Sequence, residues 1–122
     1  MINLKTKKIL VTGGNGFLGR HIIQNLIEKR GVPKQNIYAP SSRECDLRVL
    51  ENCVNVVQGQ DIVMHLAANV GGIGYNQEHP GELFYDNAIM GIQFMEAARR
   101  QKLEKFVCLG TALVFAWQFF LN

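Results

Sequence analysis

The chain has 122 residues, 48% apolar and 19% charged, with a formal net charge of +3. That length bounds it to one domain, and the composition excludes a disordered or fibrous chain. The basic residues form no stripe interleaved with aromatics, which excludes a nucleic-acid-binding face and leaves Lys5, Lys7 and Lys8 as a solvated lead-in to the first strand.

Lys8 to Val11, KILV, is a short apolar run stopped by glycines and predicts a buried strand. From about Gly16 to Lys29 the residues Phe17, Leu18, Ile22, Ile23, Leu26 and Ile27 recur at helical spacing, which predicts an amphipathic helix. Gly31 and Pro33 end it in the expected order. A second strand is predicted at about Asn36 to Ala39, then a polar loop, PSSRECD, and a helix from about Leu47 to Val57. A third strand, DIVMHLAA at 61–68, leads into a glycine-rich loop, NVGGIGYNQ. A long helix from about Pro80 to Gln101 precedes a fourth strand, KFVCLG. Strands alternating with helices of this length need crossover connections, so the expected architecture is an α/β open parallel sheet with helices on both faces.

TGGNGFLG lies at the first strand-to-helix turn, the usual phosphate site of such a sheet. Gly13 and Gly14 allow a sharp reversal, Gly16 lets backbone approach a pyrophosphate, and Gly19 allows close packing of helix on strand. The N–H groups at the helix start and the positive end of its dipole then favour an anion. Gly14, Gly16 and Gly19 read as GxGxxG, while Thr12, Gly13, Gly16 and Gly19 read as TGxxGxxG, and both parsings stand. The candidate cofactor-binding set here is Gly13, Gly14, Asn15, Gly16, Phe17, Leu18 and Gly19, set against a glycine turn that binds nothing. A triphosphate-binding loop is excluded because Gly-Lys-Ser/Thr is missing.

The end of the second strand selects the dinucleotide, because an acid there would accept from the ribose 2′-OH of NAD. This chain has Ser41, Ser42 and Arg43 at that point, with Glu44 too late. A carboxylate beside a 2′-phosphate would cost roughly 4 kcal/mol per charge pair at 4 Å and intermediate dielectric, whereas Arg43 reverses the sign. NADP is therefore favoured over NAD.

VTGGNGFLGRHI resembles the start of the extended short-chain dehydrogenase/reductase family, the NAD(P)-dependent sugar-nucleotide epimerases and dehydratases. Within it, MHLAANVGGIGYNQEHPGELFYDN and SSRECDLR are similar to the GDP-L-fucose synthase branch, and the likeness runs from about residue 7 to Thr111. The resemblance implies a Rossmann-like doubly wound parallel sheet, truncated here to about four strands, in a homodimeric enzyme. Its chemistry would be to epimerise a GDP-4-keto-6-deoxymannose sugar and reduce the ketone with NADPH. It implies that Gly13, Gly16 and Gly19 take the pyrophosphate, that Asp46 and Leu47 contact the adenine, and that Leu66, Ala67, Ala68 and Asn87 lie against the cofactor. Val70, Gly71, Gly72 and Ile73 match the loop near the sugar, and Thr111 matches the Ser/Thr that holds the substrate ketone. Two departures follow. Leu113 stands where the family has a proton-transferring Cys, and no Tyr-x-x-x-Lys pair is present: Tyr38, Tyr75 and Tyr85 are followed four residues later by Ser42, His79 and Ile89. Since that Lys lowers the Tyr pKa for proton donation to the ketone, binding is expected without hydride transfer. A dinucleotide-binding pseudoenzyme and a non-functional product are the alternatives.

The expected organisation is a cofactor-binding domain over 1–111 and a foreign apolar tail over 112–122, where nine of eleven residues are apolar. The alternative for the tail is a strand or helix covering the sheet edge. At about ten residues it is too short to cross a bilayer. With no signal-peptide pattern and with Cys45, Cys53 and Cys108 forming no CxxC pair, the expectation is a cytoplasmic protein with reduced thiols, no metal and no membrane contact. His65 reads as a hydrogen-bonded core residue and Cys108 as a small buried one. On the long helix, Phe84, Ile92 and Met95 form one stripe and Leu83, Met90 and Phe94 another, one for the sheet and the other for a partner subunit, although a dimer of this chain would be altered.

Overall fold

A computed structural model describes residues 1–109. Its elements, in chain order, are β1 (Ile9–Thr12), α1 (Phe17–Glu28), β2 (Ile37–Tyr38), α2 (Leu50–Val56), β3 (Ile62–His65), α3 (Ile73–Glu78), α4 (Pro80–Arg100) and β4 (Lys105–Cys108). Short 3-10 turns at Leu4–Thr6 and Lys34–Asn36 precede β1 and β2. All strand pairings are parallel, and the strand order is β2-β1-β3-β4.

Every residue of β1 is buried, because helices cover both faces of the sheet there. The strand period of two then sorts its side chains. Ile9 and Val11 pack with Leu26 of α1 and with Val32, while Leu10 packs with Cys53 of α2 and with Met90, Phe94 and Ala97 of α4. Ile62 and Val63 divide between the same two layers. The stripe of α4 that contains Leu83, Met90 and Phe94 is buried, and Phe84, Ile92 and Met95 on the other stripe are exposed. β1 therefore forms the centre of the domain, and the chain passes from β2 on one side of it to β3 on the other. That reversal opens a crevice at the carboxyl ends of β1 and β3.

Two expectations need correction. NVGGIGYNQ is not wholly a loop: α3 begins at Ile73, with Gly72 as its N-cap. Glycines at 71, 72 and 74 hide the helical signal, since they lower helix propensity without forbidding the turn. Cys108 is exposed rather than buried, because among the described residues β4 lies at one end of the strand order and carries only partial cover.

Candidate functional site

A cleft of about 1080 Å³ opens along the carboxyl ends of β1 and β3. One wall is the glycine turn. Gly13 has φ +69°, the left-handed region that glycine enters freely, and a Cβ there would lie 2.8 Å from the Ala67 nitrogen on β3's exit. The N–H of Gly16 donates to the Gly13 carbonyl at 3.0 Å, closing the turn. Gly16 is then the N-cap of α1, and no side chain caps that terminus. The first-turn residues Phe17, Leu18 and Gly19 line the cleft with Gly13, Asn15 and Gly16. An uncapped terminus of a twelve-residue helix, opening on a concavity, is a place where an anion can take the orphan N–H groups. Gly14 lies behind this wall, where a Cβ would meet Ala39 and Ile23.

Ser41, Ser42 and Arg43 form the neighbouring wall after β2. Ser41 and Glu44 are joined within a turn: Glu44 Oε2 accepts the Ser41 N–H at 2.7 Å and its hydroxyl at 2.8 Å. Those bonds, the backbone one first, hold the Glu44 carboxyl below the usual carboxylate range. Glu44 does not line the cleft but a shallower depression beside Tyr38 and Asn52, whereas Arg43 lines the cleft.

Asp46 and Leu47 also line the cleft. Leu47 is buried in the core, and Asp46 takes Arg48 Nε at 3.0 Å and Nη2 at 2.9 Å on its two oxygens. This fork holds the Asp46 carboxyl low and the Arg48 guanidinium high. Cys45 also lines the cleft, and partial burial raises its thiol.

The floor comes from β3 and the loop after it, where Leu66, Ala67, Ala68 and Val70 line the cleft. Beneath them, Thr12 Oγ1 accepts the Ala67 N–H at 3.3 Å and lies 2.8 Å from Nδ1 of buried His65. His65 also packs edge-on against Phe94 at 5.2 Å, and burial lowers its pKa. It is a hydrogen-bonded core histidine. Asn87 does not line the cleft. Its Oδ1 accepts the Asn69 N–H at 2.7 Å and its Nδ2 donates to the Asn69 carbonyl at 2.8 Å, so it pins the loop that does. Gly71, Gly72 and Ile73 lie beyond the lining residues, at the start of α3, and Thr111 falls outside the described residues.

Sequence reasoning missed Arg48, Asn69 and Asp86, all of which line the cleft. Asp86 carried a readable signal. It falls on the apolar stripe of α4 between Leu83 and Met90, and a carboxylate at a buried position requires partners. Among the described residues no group of three His, Cys, Asp or Glu side chains is placed to hold a metal, and no helix is long and apolar enough to cross a membrane.

The parallel sheet and its crevice define a Rossmann-like α/β domain. The chain belongs to the NAD dependent epimerase/dehydratase family, whose model matches residues 9–119. It is 30% identical over 119 residues to GDP-mannose 3,5-epimerase of Arabidopsis thaliana, covering 88% of this chain and 32% of that protein. It is 34% identical over 113 residues to GDP-L-fucose synthase of Azorhizobium caulinodans, covering 91% and 35%. Among solved structures, a GDP-L-fucose synthetase from Naegleria fowleri bound to NADP matches with TM-score 0.68 and 25% identity over 85% of this chain and 33% of that one. The chain thus spans about a third of the length of the curated relatives it matches.

Proposed function

We propose that this chain is the cofactor-binding part of a GDP-L-fucose synthase-like epimerase/reductase, with residues 1–111 forming the module that binds NADP in preference to NAD. The observation that carries this reading is the α1 terminus, which no side chain caps and which opens from a glycine turn onto the cleft. In this reading the N–H groups of the first turn of α1 take the pyrophosphate. Arg43 takes the 2′-phosphate, Asp46 and Leu47 border the adenine, and Leu66, Ala67 and Ala68 back the nicotinamide half. Asn87 acts from behind by fixing Asn69, and Val70 to Ile73 border a nucleotide sugar at the open end of the cleft. The cofactor, when bound, supplies hydride. The chain's own residues orient it and exclude water from one side.

Tyr-x-x-x-Lys is absent from these 122 residues, so in this reading they supply cofactor binding and not the proton donor for the ketone. The relatives' GDP-sugar chemistry, homodimerisation and a cytoplasmic setting belong to the same proposal. For a dimer, the exposed Phe84, Ile92 and Met95 stripe of α4 is the contact surface. The test is an NMR titration with NADPH. The reading expects the largest amide shifts at Gly13 to Gly19 and Ser41 to Arg43, and shifts confined to other surfaces would refute it.

A further inference from the structure

Among the described residues Asp86 is the only buried carboxylate, 6% exposed and lining the cleft. One of its oxygens, Oδ2, accepts from Arg48 Nη1 at 3.1 Å and from Asn69 Nδ2 at 2.9 Å. Arg48 gives its other edge to Asp46, as the bidentate fork described above. Its backbone is fixed as well, with the N–H on Asp46 Oδ1 at 3.0 Å and the carbonyl on Gln93 Nε2 of α4 at 2.9 Å. A continuous polar strap therefore runs from Asp46, in the segment between β2 and α2, through Arg48 and Asp86 to Asn69 after β3.

We propose that Arg48 is a positioning residue for the cofactor: it fixes the Asp46 carboxylate at the adenine end of the cleft and ties that wall to the floor behind β3. The proposal rests on the cofactor reading above, in which Asp46 borders the adenine. Three features of the geometry support it. A planar guanidinium can serve two carboxylates on separate edges, whereas an ammonium is a point charge without that fork. The strap also places one cation between two carboxylates in a cleft that takes a polyanion, which reduces repulsion at the adenine end. Arg48 lines the cleft with its side chain half exposed, so the strap forms part of the wall and is not hidden in the core.

The experiment compares wild-type protein, Arg48→Lys and the double variant Arg48→Met/Asp86→Asn. The double change removes the buried charge together with its partner, so loss of folding does not stand in for loss of positioning. Affinities are measured for NADPH, for adenosine 2′,5′-bisphosphate and for nicotinamide mononucleotide, and the Asp46 carboxyl is titrated by NMR. The double variant is expected to weaken NADPH and the bisphosphate by about tenfold, with nicotinamide mononucleotide unchanged. The Asp46 carboxyl should move up towards the ordinary range, and Arg48→Lys should not restore the fork. Equal losses for both fragments would mean a general structural role and overturn the proposal, as would double-variant affinities within about twofold of wild type. A wild-type protein that binds neither NADPH nor the bisphosphate would overturn the cofactor reading itself. The Asp46 titration would still show whether Arg48 holds that carboxylate, which separates the two failures.

Discussion

Gly19, in the first turn of α1, packs directly on the carbonyl of Gly13: a methyl group added at Gly19 would overlap that oxygen and lie 2.6 Å from the Gly14 α-carbon. The helix is thus seated on the turn that precedes it. At Gly16 the nearest atom to an added Cβ is the same Gly13 oxygen, at 3.3 Å, and φ is −76°. The two glycines therefore serve different ends. Gly19→Ala is expected to cost about 1–3 kcal/mol of stability through overpacking, read as a lowered unfolding midpoint. Gly16→Ala should cost less stability yet weaken NADPH by about tenfold or more, because the methyl group intrudes where backbone meets phosphate. Calorimetry and a binding titration on the two variants separate these effects.

Asn87 spends its side-chain amide on both backbone groups of Asn69. Asn87→Ala leaves that N–H and carbonyl without their partner in a partly buried loop, a loss of about 1–3 kcal/mol. Faster hydrogen exchange at the Asn69 amide, with exchange in β1 unchanged, is the expected local signature.

His65 is buried against Phe94 and bonded to Thr12, and burial holds its pKa below the ordinary value of 6.5. The unfolded chain therefore binds this proton at a higher pH than the folded one. The contribution is fully present above about pH 6.5 and is lost as pH falls from there through the folded-state value. Denaturant unfolding between pH 7.5 and roughly 5 should show stability falling on acidification, with a smaller fall in His65→Gln. Equal slopes in the two proteins would remove His65 as the cause.

The wall after β2 gives a split between neighbours. Both Ser41 donors are already given to Glu44, whereas Arg43 lines the cleft and has no carboxylate partner among the described residues. Arg43→Ala should weaken NADPH by about tenfold while leaving NADH nearly unchanged, the size of a charge-assisted hydrogen bond. Ser41→Ala should change NADPH affinity by less than about threefold. Isothermal titration with both nucleotides reads the difference.

The parts of this molecule legible in the sequence are those where one local rule suffices. KILV predicted β1 to within one residue, and the spacing from Phe17 to Ile27 with its glycine stop predicted α1. The parallel sheet followed from the alternation of elements. The glycine turn and the Ser41 to Arg43 stretch could be placed beside the cleft because each follows closely on a strand that the local pattern locates. Arg48, Asp86 and Asn69 were not, since their meaning lies in contacts between residues 17 and 38 positions apart that no local pattern encodes. Asn87 is the intermediate case. The resemblance singled it out, and the fold shows its side chain bonded to Asn69 and not lining the cleft.

The most direct test is a titration of the purified chain with NADPH and with NADH, following nucleotide fluorescence and thermal unfolding together. Saturable binding with NADPH preferred is expected, with stability raised by about 2.7 kcal/mol at a hundredfold excess over Kd. A chain that unfolds cooperatively yet binds neither nucleotide, with no rise in its midpoint, would contradict the cofactor reading.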